Sequence, residues 1–583
     1  MTTKKILLSF TVSFALCLGL SSFGYTETQN EIVKIDQNAT QIGAASSPEK
    51  TEVQNATAFQ SEHVNASFGN EGVSHIREIV TDSNKSFASF MDINPNFVSE
   101  FYAAHQYQPV WIEQNQWNTK AKIALDALHH SQNEGLFPQD YVIHLLPLEI
   151  SSQNPQEQSQ LDVRLTSAFM QYIVDVSYGR RELRKTNEDR TKAAPEPDAR
   201  LILTEGLKTN DFSSFVAGLP PKHAGYKLLR EILIKKEHHT VVQLPPIPAI
   251  SNLTLNKNDP AIKLLHDHLV AKGDLEEPSL TPTFFDQTMR DALKKFQKRH
   301  QLGANGVLNP VTRAAFNRPQ MDILKKIAIN MERWRWLPHS MSKKNILVNV
   351  PGFTLYAYDN DQLAFEKRVI VGNEHRETPI FSAPMTSVKF NPTWSVPPRI
   401  AARDILPQIQ EDPQNFFSFY RMRVSSAKGG EIDPHSVNWA NVSPSNFPYR
   451  LVQMPGSNNA LGKIRFSITN PYDIYLHDTS SRENFDKDVR TLSSGCIRVK
   501  DPEVLANFVL SDSQKWNLTQ VKAAMQGSNT NVVNLPNSID VHIMYATVFV
   551  DHNKVLHVYD DVYERDNNIM RLLDMDKKKL TAN

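Results

Sequence analysis

The apolar periodicity of this chain changes once, near residue 340, and nothing else constrains its fold as tightly. Up to that point apolar residues recur at spacings of three and four. Beyond it they fall in short runs that alternate with polar residues. A period of 3.6 gives a helix with one apolar stripe, and a period of 2 gives a strand with one apolar face. The chain must therefore hold helical domains followed by a strand-rich one. Its 583 residues exceed what one core can organise, so about three or four domains are expected. The class is multidomain α+β.

Residues 74–248 read as a helical scaffold domain. Leu165, Phe169, Tyr172, Ile173 and Val176 make one stripe, and Gly179 stops that helix. Its apolar faces ask for no chemistry. At residues 243–248 the sequence QLPPIP reads as a stiff extended linker. Residues 253–318 form a small three-helix module. Asp259 and Pro260 open its first helix, Asp286 caps the second, and Asn309 with Pro310 opens the third. Another helix, over about 320–334, leads into strands at 346–350, 354–358 and 367–372. The strand-rich domain is split, covering 319–397 and 449–565. The interruption at 398–448 carries Phe416, Phe417, Phe419 and Trp439, and one of this length is uncommon unless functional. Asp501 and Pro502 open a helix, and the closing strands are 540–545 and 547–550. His542 among them reads as structural. Residues 566–583 are taken as a tail.

The N-terminus reads as an export signal over 1–24. Lys4 and Lys5 precede an apolar run over 6–20, which is short for a membrane span. The segment is either cleaved or kept as an inner-membrane anchor. Residues 25–73 are polar, cannot bury enough surface to offset ordering entropy, and are expected to be disordered. Lys plus Arg and Asp plus Glu both number 63, so net charge offers no support for nucleic acid as a partner.

Cysteine use then singles out one stretch. Cys17 lies in the export signal, which leaves Cys496 without an internal disulfide partner. Such a thiol is either a small buried hydrophobe or a reactive group. In the run from Cys496 to Val499, alternation puts Cys496 and Arg498 on one face and Ile497 and Val499 in the core. It likewise pairs Tyr475 with His477. A guanidinium and an imidazole near a thiol favour the thiolate, so Cys496 is expected to react at neutral pH. Ser493, Ser494 and Gly495 are small, and the backbone N–H groups of Gly495 and Cys496 are candidates for stabilising an oxyanion. Scattered histidines and one cysteine give no metal-ligand spacing, and no metal or other cofactor is expected.

His477, the loop 478–492 and Ser493-Ser494-Gly495-Cys496-Ile497-Arg498 together resemble the signature of the L,D-transpeptidases that cross-link bacterial peptidoglycan. Many members have a second histidine where this chain has Ser494. Residues 253–318 resemble the common peptidoglycan-binding domain, through phrases such as Phe285-Asp286-Gln287-Thr288 and Pro310-Val311-Thr312. Parts of 74–248 resemble the N-terminal scaffold of the larger members. The resemblance implies a periplasmic enzyme of a Gram-negative bacterium, with stem peptides and other cell-wall enzymes as partners. Cys496 would be the nucleophile and His477 the base. Tyr475, Ser494, Arg498, Trp394 and Asn459 would orient substrate, with 398–448 as a cap over it. Carbapenems would acylate the thiol. Water as acceptor (an L,D-carboxypeptidase), a protein as acceptor, and a wall-binding protein with a dead site remain open.

Overall fold

The computed structural model describes residues 69–82, 93–181, 183, 197–236, 244–250, 253–276, 278–317 and 323–572. The export signal and most of the stretch expected to be disordered lie outside these residues. Among the described residues no helix is long and apolar enough to cross a membrane.

The scaffold consists of α1 (Gly69–Thr81), α2 (Pro95–Ala104), α3 (Thr119–His129), α4 (Pro155–Tyr178), α5 (Ala199–Lys208), α6 (Phe212–Ala217) and α7 (Ala224–Lys236). α4 is its axis. The Asn154 side chain accepts the Gln156 N–H, Pro155 fills the first turn, and Gly179 at φ 84° ends the helix. The expected apolar stripe is buried, but so are most residues from Gln158 to Ser177, because α1, α3 and α5 pack around it. A helix covered on all sides must satisfy its polar groups internally. Asp162 does so by accepting from the Tyr102 hydroxyl (2.6 Å) and the Trp111 N–H (2.8 Å). α1 corrects one expectation, since residues 69–73 are helical rather than disordered. Ile76 and Val80 bury against the scaffold core, and the Ser159 hydroxyl donates to the Gly72 carbonyl at 3.1 Å.

The three-helix module has α8 (Ile262–Ala271), α9 (Gln287–Arg299) and α10 (Pro310–Asn317) around Phe285, Phe296 and Phe316. Asp286 and Asn309 accept the N–H groups of Met289 and Thr312, as their spacing predicts. The linker expectation needs correcting. Ile247 is buried in the module's core, and the Asn317 amide bonds both its N–H (2.6 Å) and its carbonyl (2.7 Å). This stretch is docked on the module rather than spanning open space as part of the scaffold.

α11 (Ile323–Arg335) joins the scaffold to the strand-rich domain. Buried Arg335 donates to Glu332 and to the Tyr226 hydroxyl, each at 3.0 Å. The main sheet uses β1 (Lys344–Asn349), β2 (Thr354–Asp359), β3 (Gln362–Gly372), β4 (Phe381–Phe390), β9 (Ile464–Ile468), β10 (Leu476–His477), β11 (Thr491–Ser493), β12 (Ile497–Val499) and β13 (Asn531–Met544). Its order is β11-β3-β12-β10-β9-β4-β13-β1-β2, and β2 pairs back onto β3, so the sheet closes on itself. Closure leaves the short β11 at an edge and encloses an apolar core that includes Val348, Val388, Phe466, Leu476 and Ile497.

The insert forms its own unit. β5 (Trp394–Ser395), β6 (Met422–Ser426), β7 (Glu431–Ile432) and β8 (Tyr449–Gln453) make a four-stranded sheet over Leu406, Phe416, Phe417 and Trp439. Its ends zip together, with Gln453 opposite Trp394, so the unit runs over 394–453 and is wider than 398–448. The tail expectation also fails in part. Residues 565–572 are helical, and buried Asp566 accepts from Arg333 (2.5 Å) and the Thr547 hydroxyl (2.8 Å). Ile569 packs near Ile329 and Leu183.

Candidate active site

β9, β10 and β12 lie side by side. Arg465 is opposite His477, and His477 is opposite Arg498. Phe466, Leu476, Ile497 and Val499 turn into the core, so Arg465, His477 and Arg498 form a row on the other face. Tyr475 and Cys496 share that face one step along. The alternation read from sequence thus brings four of the expected residues together, and it adds Arg465.

His477 is buried, with Nδ1 2.5 Å from the Asp478 carbonyl oxygen. A carbonyl only accepts, so Nδ1 carries the proton and Nε2 presents its lone pair. Burial, reinforced by Arg498 and Arg465, lowers the imidazole pKa to about 3. The ring is therefore neutral at neutral pH.

Cys496 is half-buried, and its thiol donates weakly to the Asp473 carbonyl at 3.7 Å. Burial pushes the thiol pKa up. The backbone N–H and hydroxyl of Tyr475, then Arg465 and Arg498, oppose that push without cancelling it. The expected thiolate is therefore not the resting form. A neutral imidazole supplies no charge, and desolvation outweighs the two guanidinium groups. Tyr475 is the closest polar support. Its hydroxyl bonds the sulfur and receives the Trp394 indole N–H, while Arg465 stacks 4.1 Å above its ring.

The turn before Cys496 corrects a second expectation. Gly495 sits at φ 111°, a conformation that suits glycine. Its N–H donates to Ser493 Oγ at 3.1 Å, and Ser493 Oγ donates in turn to the Cys496 carbonyl at 2.6 Å. The Gly495 N–H is thus committed inside the turn. The Cys496 N–H meets no acceptor among the described residues and stays available. Ser494 is exposed.

A cleft of about 180 Å³ opens between the sheet and the insert. Trp394, Tyr420, Met422 and Gln453 line the insert side, and Thr479 and Arg498 the sheet side. The Nε atoms of Arg465 and Arg498 are buried without hydrogen-bond partners. Asn459 does not join the site. It is buried, its amide donates to the Pro392 and Met454 carbonyls at 3.1 Å each, and its oxygen accepts the Leu461 N–H. All its polar capacity is spent bracing a loop. Two residues not singled out in the sequence also shape the site. Asn470 bonds the backbone of Ile468, Tyr472 and Ile474 just ahead of β10, and Thr378 lies behind the Gly495 turn. Arg465 was readable from its alternation with Ile464 and Phe466. Asn470 and Thr378 carry no local signal.

Residues 343–532 match the family described as L,D-transpeptidase catalytic domain. Residues 258–316 match "Putative peptidoglycan binding domain", and 96–233 match a scaffold domain. A curated Haemophilus influenzae protein named "Putative L,D-transpeptidase" is 32% identical over 250 residues, which are 43% of this chain and 50% of that one. The match thus spans about half the relative's length. Solved L,D-transpeptidases were also found. One from Stackebrandtia nassauensis is 12% identical, covers 50% of this chain and 95% of its own, and has a TM-score of 0.20. One from Xylanimonas cellulosilytica is 14% identical, covers 51% and 98%, and has a TM-score of 0.16.

Proposed function

We propose, for a chain that carries an L,D-transpeptidase catalytic domain beside a peptidoglycan-binding and a scaffold domain, that it transfers acyl groups between peptidoglycan stems through a Cys496 thioester. One observation carries this reading. The free thiol of Cys496 and a neutral histidine with Nε2 unprotonated share one face of adjacent parallel strands, beside a cleft.

In the proposed cycle, His477 Nε2 takes the Cys496 proton as sulfur attacks the carbonyl of the third stem residue. An S–C bond forms, and the carbonyl oxygen becomes an oxyanion facing the Cys496 N–H. Collapse breaks the C–N bond, and Nε2 returns its proton to the departing D-amino acid. The amine of a neighbouring stem then attacks the thioester and gives a proton to Nε2. Collapse expels the sulfur, which recovers that proton, leaving a cross-link between the third residues of two stems. The guanidinium groups of Arg465 and Arg498, in one row with His477, suit carboxylates on the stem. The peptidoglycan-binding domain would hold the enzyme on its polymer outside the cytoplasm. Purified cell-wall fragments incubated with the protein and read by mass spectrometry test the proposal. Cross-linked dimers are expected. Shortened monomers mean that water is the acceptor, protein-linked muropeptides mean a protein acceptor, and unchanged material refutes catalysis.

A further inference from the structure

The Gly495 turn is held from behind by one loop. This loop, 372–378, leaves the end of β3 and returns under the turn. Gly372 starts it at a point of close approach, where a Cβ would lie 2.1 Å from the Arg376 carbonyl oxygen. The Asn373 N–H bonds the Ser493 carbonyl at 3.0 Å. At the other end is Thr378, fully buried. Its hydroxyl accepts the Gly372 N–H at 2.9 Å and donates to the Gly495 carbonyl at 2.7 Å. Its own N–H donates to the Tyr563 hydroxyl at 3.1 Å, which donates to the Gly372 carbonyl at 2.6 Å. Both ends of the brace are thus tied by hydrogen bonds.

The Gly495 carbonyl and the Cys496 N–H belong to one peptide unit. In a planar trans peptide these two groups point in opposite directions. A bond that pins the carbonyl toward the buried loop therefore aims the N–H the other way. That N–H is the donor left without an acceptor, on the nucleophile itself. Glycine at φ 111° is soft, and the turn alone does not fix the orientation of this peptide.

We propose that Thr378 is a positioning residue, which orients the Gly495–Cys496 peptide so that the Cys496 N–H faces the oxyanion formed on acyl transfer. This rests on the acyl-transfer reading above. Thr378 touches neither substrate nor sulfur. Its effect belongs to steps that develop charge on a carbonyl oxygen, and not to steps that need only the sulfur.

That difference supplies the test. Full-length wild type, Thr378→Val and Thr378→Ser are each treated with a carbapenem and with iodoacetamide, and both additions to Cys496 are timed by intact-protein mass spectrometry. Acylation passes through an oxyanion, whereas alkylation at carbon does not. In Thr378→Val the acylation rate should fall about 100-fold, the scale for a group misplaced by about 1 Å and the lower end of that for a lost oxyanion donor. Alkylation should be unchanged, and Thr378→Ser should restore acylation. If the valine variant does not fold, Thr378→Ala removes the hydroxyl with less crowding and serves in its place. Acylation at the wild-type rate, or a parallel loss of alkylation, would overturn the inference while leaving the acyl-transfer reading intact. A wild-type protein that alkylates but never acylates would overturn the acyl-transfer reading, and this inference with it.

Discussion

Replacing Tyr475 with phenylalanine removes one atom that touches the sulfur and leaves the rest of the ring's packing in place. The phenol oxygen bonds Cys496 and accepts from Trp394, whereas Arg465 stacks on the ring face and His477 meets its edge at 5.6 Å. Only the charged form of the thiol gains much from the hydroxyl. A hydrogen bond to a charged group contributes about 1.5–3 kcal/mol, and each 1.36 kcal/mol is tenfold in a protonation equilibrium. Tyr475→Phe should therefore lower the thiolate fraction about ten- to a hundredfold at any pH below the titration. Burial already pushes this thiol up, so the wild-type curve should itself lie above the ordinary cysteine range of about 8.5. The assay is the rate of iodoacetamide addition to Cys496 across pH, followed by mass. Wild type should react slowly at neutrality and speed up in alkali, with the variant's curve displaced further alkaline. Coincident curves would remove Tyr475 from the sulfur's support. A wild-type curve centred below the ordinary thiol range would refute the claim that desolvation outweighs Arg465 and Arg498.

Cys496→Ala should abolish transfer without loss of fold, and His477→Ala should lower it about 10²–10⁴-fold, both read from muropeptide products. Because His477 titrates near 3, wild-type activity should show no acid limb from this residue between about pH 5 and 8. The Arg376–Asp404 ion pair ties the insert to the loop behind the Gly495 turn, and both partners are about a third exposed. Such a pair contributes at most about 1 kcal/mol, so Asp404→Asn should speed amide exchange in the insert no more than about fivefold; no change would mean that the pair does not latch it. Asp566→Asn leaves Arg333 buried without its countercharge and should cost about 3–5 kcal/mol in denaturant unfolding. Burial alone would raise the Asp566 pKa, but Arg333 and Lys326 hold it below the ordinary carboxylate range. Its contribution is thus complete above that range and lost as pH falls through its folded value, and the deficit of the variant should shrink in acid.

What could be read from sequence was whatever repeats or caps locally. Two helices of the small module follow from Asp286, Asn309 and their apolar stripes, because N-caps and periodicity act within a few residues, whereas the first starts at Ile262 rather than at Pro260 and has no side-chain cap. The shared faces of Tyr475 with His477 and of Cys496 with Arg498 follow from strand alternation in the same way. Long-range groups were hidden. Thr378 reaches the Gly495 carbonyl across 117 positions, and Asp566 reaches Arg333 across 233, so neither leaves a pattern in its own neighbourhood. Asn459 was expected from the resemblance to orient substrate, whereas its amide is taken up by Pro392, Met454 and Leu461. The protonation state was misread for a related reason. Residue types reveal which charges lie nearby, but burial decides whether a thiol can ionise, and burial belongs to the closed sheet and the insert.

That protonation state gives the proposed cycle its order. With a neutral thiol beside a neutral imidazole, there is no standing ion pair, and the proton must move as the S–C bond forms. The Nδ1–H bond to the Asp478 carbonyl fixes which nitrogen receives it, so no tautomer change is needed first. Burial and Arg498 disfavour the imidazolium, which should therefore return its proton readily to the leaving amine. The thiolate is scarce between turnovers, and the thiolate is the form that oxidants and adventitious electrophiles attack. A thiol that ionised freely would be exposed to both. Burial thus trades speed against small reagents for selectivity toward an acyl donor that brings its own carbonyl to the Cys496 N–H. The alkylation curve that isolates Tyr475 measures this trade too, because slow alkylation by wild type at neutral pH, together with rapid acylation, is the pairing it requires.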